Sequence, residues 1–319
     1  LKAGTKVSKK KRSQGISAAL ISAALIGMAP VFGKAAMGEG QFSPYAVVAL
    51  RTSMAAALLV LIMLIFRRQY LYIYPAGLYG CLLAGVLNGI GSIFYYVGLS
   101  KLSASVAQML YALYPLFVAF WLQLDGQPPS KLTVIRIFIA GISAFLLTKV
   151  DSGNINTSGV IFMLISAALY ALHLPVNQRV LYDVPAPTVT VYTLLAMSAV
   201  VVPAYFIASP PPPINPPWLP ILGLTAVTFG SRLMLFLGVK NIGGMQTALL
   251  GLAELLVAIT FSHFLLGETL TGWQWMGTAG LGASLLLVWF EKPAPYRLQA
   301  KGLLSWLQPP DFPSDFYRH

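Results

Sequence analysis

The chain has 319 residues, of which 57% are hydrophobic and only 9% charged, with a net charge of +12 and a mean hydropathy of +0.74. Soluble domains carry about 25% charged residues, so this composition excludes an ordinary water-soluble globule. The apolar runs are continuous, not alternating, and reach the length of about 20 residues that a membrane-crossing helix needs, which favours a helical bundle over a β-barrel.

In chain order, a basic tail over residues 1–14 carries Lys9-Lys10-Lys11-Arg12, a run suited to anionic lipid head groups. Spans are predicted at 15–37, 44–66, 75–99, 104–122 and 132–150, then at 158–177, 187–207, 218–238, 243–266 and 272–290. Short polar or Pro/Gly-rich links separate them, among them Asp125-Gly126-Gln127-Pro128-Pro129 and the stiff run Pro210-Pro211-Pro212-Pro213. A proline-broken tail over 291–319 follows, where Gly302 to Leu307 is expected to lie on the membrane surface or to dock on a partner.

Leu20-Ile21-Ser22-Ala23-Ala24-Leu25 recurs letter for letter at Leu164-Ile165-Ser166-Ala167-Ala168-Leu169, 144 positions on. Further matches follow at nearly that offset, as with Tyr96-Val97-Gly98-Leu99 and Phe236-Leu237-Gly238-Val239. Each half then holds an odd number of spans, so the second half enters the membrane in the opposite sense. The expected fold is an all-α polytopic membrane protein of about ten transmembrane helices in two inverted five-helix repeats, 15–150 and 151–290, with a substrate cavity between them. The first span, having an internal counterpart, is read as part of the fold and not as a cleaved leader.

With the N-terminus placed in the cytoplasm, sixteen basic residues fall on the cytoplasmic side and three, Lys34, Lys101 and Lys149, on the outer side. That puts both termini in the cytoplasm, at the plasma (inner) membrane, and makes the positive charge a topology signal more than a nucleic-acid site. The single cysteine, Cys81, excludes an internal disulfide, and three scattered histidines show no metal spacing. No phosphate-loop motif is present, so no cofactor and no enzyme activity are expected.

The second span's Ala49-Leu50-Arg51, the stretch from Phe94-Tyr95-Tyr96-Val97-Gly98-Leu99 to Tyr114-Pro115-Leu116-Phe117, Leu252-Ala253-Glu254, and Leu265 to Thr271 together resemble the EamA-type drug/metabolite transporters. The resemblance runs over about residues 15–290. Leu255 stands where that family often has proline, and Gln127 where it often has an acid. The resemblance implies export or exchange of small metabolites, often amino acids, by alternating access.

Polar groups inside spans point to the site, because charge in hydrocarbon needs a partner or a wet cavity. Glu254 and Arg232 lie at comparable depths beside one hairpin, so they offer either a substrate or proton-linked site or a static ion pair. Arg51 offers a contact for a carboxylate substrate, or else a structural role at a helix end. Gln108, Tyr111 and Tyr114 share a face of the fourth span. Tyr170, His173 and Asn177 form a stripe on the sixth. Asn88 and Tyr192 complete the candidate pathway. Gly85 and Gly89 read as a packing motif. The function expected is a secondary transporter of a small metabolite with proton or counter-substrate coupling; the alternative is a non-transporting membrane subunit or assembly factor.

Overall fold

A computed structural model of the chain describes residues 9–38, 42–102, 104–147, 156–208, 216–257, 272–290, 302 and 304. All regular structure among the described residues is helical. The helices are α1 (Lys9–Gly27), α2 (Ala29–Ala36), α3 (Pro44–Phe66), α4 (Pro75–Lys101), α5 (Ala104–Tyr111), α6 (Tyr114–Leu124), α7 (Lys131–Leu147), α8 (Thr157–Leu181), α9 (Ala186–Ala208), α10 (Trp218–Ile242), α11 (Gly244–Gly251) and α12 (Gly272–Leu286). Six are long and apolar enough to cross a membrane: the joined α1–α2 unit Lys10–Ala36, α3, α4, α8, α9 and α10. Large apolar side chains such as Ile65, Phe138, Ile142, Phe206 and Leu219 face outward, as lipid requires and water would not favour. His263, the stretch 265–271 and the proline run 210–213 lie outside the described residues.

Local chemistry sets the helix ends. Ser43 caps α3 by accepting from the Ala46 N–H at 3.2 Å, and Asn156 caps α8 through Gly159 N–H at 3.2 Å. Gly243, at φ 85°, closes α10, a left-handed conformation that glycine adopts without steric cost. Three predicted spans are interrupted. The first breaks at Met28, before Pro30, and the fourth at Ala112-Leu113, before Pro115. A proline lacks the N–H that would continue the ladder. The ninth breaks at Leu252 and is helical again over 253–257, with Leu255 N–H bonding the Leu252 carbonyl at 3.1 Å. That break forms with Leu255 in the usual proline position.

The helices interlock across the two sequence halves. α4 runs along α8, and α1 along α10. The duplicated hexapeptide supplies the latch twice: Ser22 Oγ donates to the Ser231 carbonyl at 2.9 Å, and Ser166 Oγ to the Gly91 carbonyl at 2.8 Å. Gly91 and Ser231 are themselves 140 positions apart. Glycine permits the close approach: a Cβ on Gly85 would meet the Thr193 carbonyl of α9 at 2.6 Å, so the Gly85/Gly89 pair is a packing surface against α9.

Basic residues sort to two ends. Arg12 reaches the Val288 carbonyl, Lys240 the Val184 carbonyl and Arg179 the Asp125 carboxylate at one end. Lys34 reaches the Leu102 carbonyl and Lys101 Ser158 at the other. Two of the residues counted as surface topology charges are instead interior. Arg136 is fully buried, bonding the Ser284 carbonyl at 3.0 Å and Gln246. Arg179 is buried with Asp125, Nη2 to Oδ2 2.6 Å. The Leu304 N–H donates to the other Asp125 oxygen at 2.9 Å, and the Leu304 side chain is buried with Ala84 and Val176. This point of the C-terminal segment therefore docks on its own chain, whereas a membrane-surface turn or a partner contact was expected.

Candidate functional site

A cavity with about 610 Å³ of non-atom space, open solvent at its mouth included, sits among α1–α2, α3, α4, α5, α8 and α10. Six of the eleven expected residues line it: Arg51, Asn88, Gln108, Tyr111, Tyr170 and Arg232. Its floor is a crossed pair of polar rungs. Asn88 and Ser92 lie one turn apart on α4; Thr228 and Arg232 lie one turn apart on α10, each 140 positions from its counterpart. Arg51 enters from α3 and ties the rungs together, donating to Thr228 Oγ1 at 3.1 Å and Ser92 Oγ at 3.3 Å. Its guanidinium stands 4.8 Å from the Tyr96 ring centroid, a cation–π distance. Its Nε has no hydrogen-bond partner.

Arg232 meets Asn88, whose amide oxygen accepts from Nη1 and Nη2 at 2.8 and 3.0 Å in the orientation that presents oxygen to the guanidinium. Behind it, His173 Nε2 lies 3.5 Å from Nη1. An arginine only donates, so Nε2 accepts, and the ring proton sits on Nδ1, which bonds the Tyr170 carbonyl. The Tyr170 ring lies 5.8 Å from the Arg232 guanidinium carbon. A run of rings forms one wall, Tyr95 to Tyr111 5.0 Å and Tyr111 to Tyr170 5.4 Å between centroids, with Tyr114 behind it at 5.1 Å from Tyr170. Tyr95 also donates to Gln108 at 3.4 Å.

Of the two readings of Arg232 and Glu254, the static ion pair does not form. Arg232 takes Asn88 and His173, while Asp125–Arg179 is a salt bridge among the described residues. Depth along two helices is legible in a sequence, but rotation about their axes, which decides the partner, is not. Glu254 is buried, with Oε1 unbonded. Its backbone packs on Gly27 at the α1–α2 break, where a Cβ would meet the Glu254 carbonyl at 2.7 Å, beside the lining residues Ile26 and Ala29.

The remaining expected residues are not in the cavity lining. Tyr114 donates to the Ala248 carbonyl of α11 at 2.7 Å. Asn177 Nδ2 bonds the His173 carbonyl at 2.9 Å within α8, around the internal Pro175. Tyr192 latches the Leu71 carbonyl at 2.6 Å, outside the site. His173 orients Arg232 from behind. Arg51 bonds side chains inside the cavity, not carbonyls at a helix end. Sequence reasoning missed Ser92, Tyr95, Tyr96, Ser166, Thr228 and Ser231. Lone hydroxyls are common in membrane helices; the available signal was the matched 140-residue spacing of the two rungs.

Comparison with known proteins agrees with this layout. The model of the EamA-like transporter family matches residues 13–149 and again 157–290. An uncharacterized transporter of Bacillus subtilis, YcbK, is 26% identical over 199 residues, which is 58% of this chain and 64% of its own length. An uncharacterized transporter of Archaeoglobus fulgidus is 25% identical over 207 residues, 65% of this chain and 74% of its own. One crystal structure is similar with a TM-score of 0.69 over 88% of this chain and 97% of its own, at 16% identity, a likeness of fold alone. The chain is a multi-pass, helical membrane protein that belongs to the EamA-like transporter family.

Proposed function

We propose that the chain is a secondary transporter that exports or exchanges a small metabolite by alternating access. In this reading ten spans act as two inverted five-helix repeats, 15–150 and 151–290, in the plasma membrane with both termini cytoplasmic. The observation that carries it is the cavity itself: a polar, aromatic-walled chamber at mid-helix depth, built from α3, α4 and α5 of one half and α8 and α10 of the other. Carriers of this architecture hold substrate at the seam between repeats, so rocking one half against the other would expose the site to each side in turn. The breaks at Met28 and Ala112-Leu113 adjoin the lining residues Ala29 and Tyr111, and with the break at Leu252 they would supply bending points.

Glu254 is the candidate for coupling. One carboxyl oxygen has no partner in a buried setting, where an unpaired charge is costly. The test is flux into proteoliposomes carrying the purified chain, across a broad metabolite panel, with imposed proton and counter-substrate gradients. Saturable flux for one class, impaired in a folded Glu254→Gln variant, is expected. No flux under any gradient would favour a non-transporting subunit; unchanged flux in the variant removes Glu254 from the coupling role.

A further inference from the structure

We infer that the cavity is an anion site: it takes a small organic acid whose carboxylate has no ammonium group beside it. The inference deepens the transport reading and rests on it for biological use, but the binding chemistry stands on the residues alone.

Two guanidinium groups share the chamber, Arg51 and Arg232, 9% and 7% exposed, within electrostatic range of each other. Among the described residues their partners are neutral: Thr228, Ser92 and the Tyr96 ring for Arg51; Asn88, His173 and the Tyr170 ring for Arg232. Among the described residues no carboxylate lies within salt-bridge distance of either, and no acidic side chain lines the cavity. Two like charges in a low-dielectric interior repel, and the neutral dipoles around them offset only part of that cost. An arriving anion supplies the missing charge.

The remaining features select among anions. Arg51 keeps Nε buried and unbonded, so a donor of its planar fork is left unsatisfied. Apart from Ala29 at the start of α2, the lining positions lie inside helices, where backbone N–H groups are already used, and no lysine is among them. The lining is therefore poor in the free backbone donors of a phosphate cradle. An ammonium group would enter a chamber holding two cations, which disfavours amino acids and amines; Glu254, whose carboxylate acts on the tyrosines of the wall, lies outside the lining. The tyrosine wall provides a surface for an apolar or aromatic body.

The test uses the full chain, purified in detergent, with skeleton-matched probes at constant ionic strength. Calorimetry compares 3-phenylpropionate with phenylalanine and 2-phenylethylamine, and succinate with aspartate; phenyl phosphate is the further arm. At least one acid is expected to bind about tenfold or more tightly than its aminated analogue, the size of a lost charge-assisted contact. Arg51→Gln and Arg232→Gln should each lose about the same factor, while Arg232→Lys keeps the order of preference. Equal or tighter binding of the amino acids, tighter binding of phenyl phosphate, or no saturable binding of either acid overturns the inference. The wild-type preference decides even if a glutamine variant fails to fold. Acid binding without flux in proteoliposomes would count against the transport reading and leave the anion assignment standing. Flux of an amine or amino acid without acid binding would do the reverse.

Discussion

Buried arginines in this molecule are used in two opposite ways. At one end of the bundle Arg179 faces Asp125 at 2.6 Å, and the same carboxylate also receives Gln127 Nε2 and the Leu304 N–H. That charge is closed. In the chamber Arg51 and Arg232 are also buried, yet meet hydroxyls, an amide, an imidazole and ring faces. Their charge is held in position but not neutralised. A closed pair joins elements, here the α6 end, α8 and the C-terminal segment. An open pair costs stability and is retained where a ligand completes it.

The contrast should be broken most forcefully at the closed pair. Asp125→Ala leaves Arg179 buried without its counter-charge, a loss of about 3–5 kcal/mol, read as a large fall in thermal stability in detergent. Ligand preference in the surviving fraction should be unchanged. If the variant is as stable as wild type, the pair does not hold this end together.

The open pair should respond the other way round. Arg232→Gln removes an uncompensated charge, so unfolding stability should change by about 1 kcal/mol or less, while acid binding falls about tenfold. A variant that loses as much stability as Asp125→Ala while keeping its binding would make Arg232 a structural residue.

The smallest expected effects separate the two copies of the repeated serine. Ser22→Ala and Ser166→Ala each remove one side-chain bond to a helix carbonyl and should cost about 1 kcal/mol, nearly additively. Only Ser166 lines the cavity, so only its variant should also shift ligand affinity. Equal shifts in both would show that helix packing, not the lining, sets affinity.

Much of the layout was legible beforehand because bilayer thickness makes apolar run length informative. The 44–66 segment coincides with α3, and α4, α9 and α10 fall within a few residues of expectation. The charged residues within spans were also visible, since each is exceptional in such a sequence. Partner choice was not. Tyr170, His173 and Asn177 share a helix face, yet Tyr170 lines the chamber, His173 stands behind Arg232 and Asn177 bonds its own helix. The nearly uniform apolarity of α8 leaves helix rotation to be set by tertiary packing. Arg136 shows the same limit: its sequence neighbourhood reads as a membrane flank, but Ser284 and Gln246 from later helices enclose it.

The central claim is that Arg51 and Arg232 form one anion site, and a structure of the full chain with bound 3-phenylpropionate tests it most directly. The account requires the carboxylate within about 3 Å of guanidinium nitrogens of both residues, with the phenyl ring against the tyrosine wall. A ligand lodged elsewhere, with Arg51 still on Thr228 and Ser92 and Arg232 still on Asn88 alone, would contradict it.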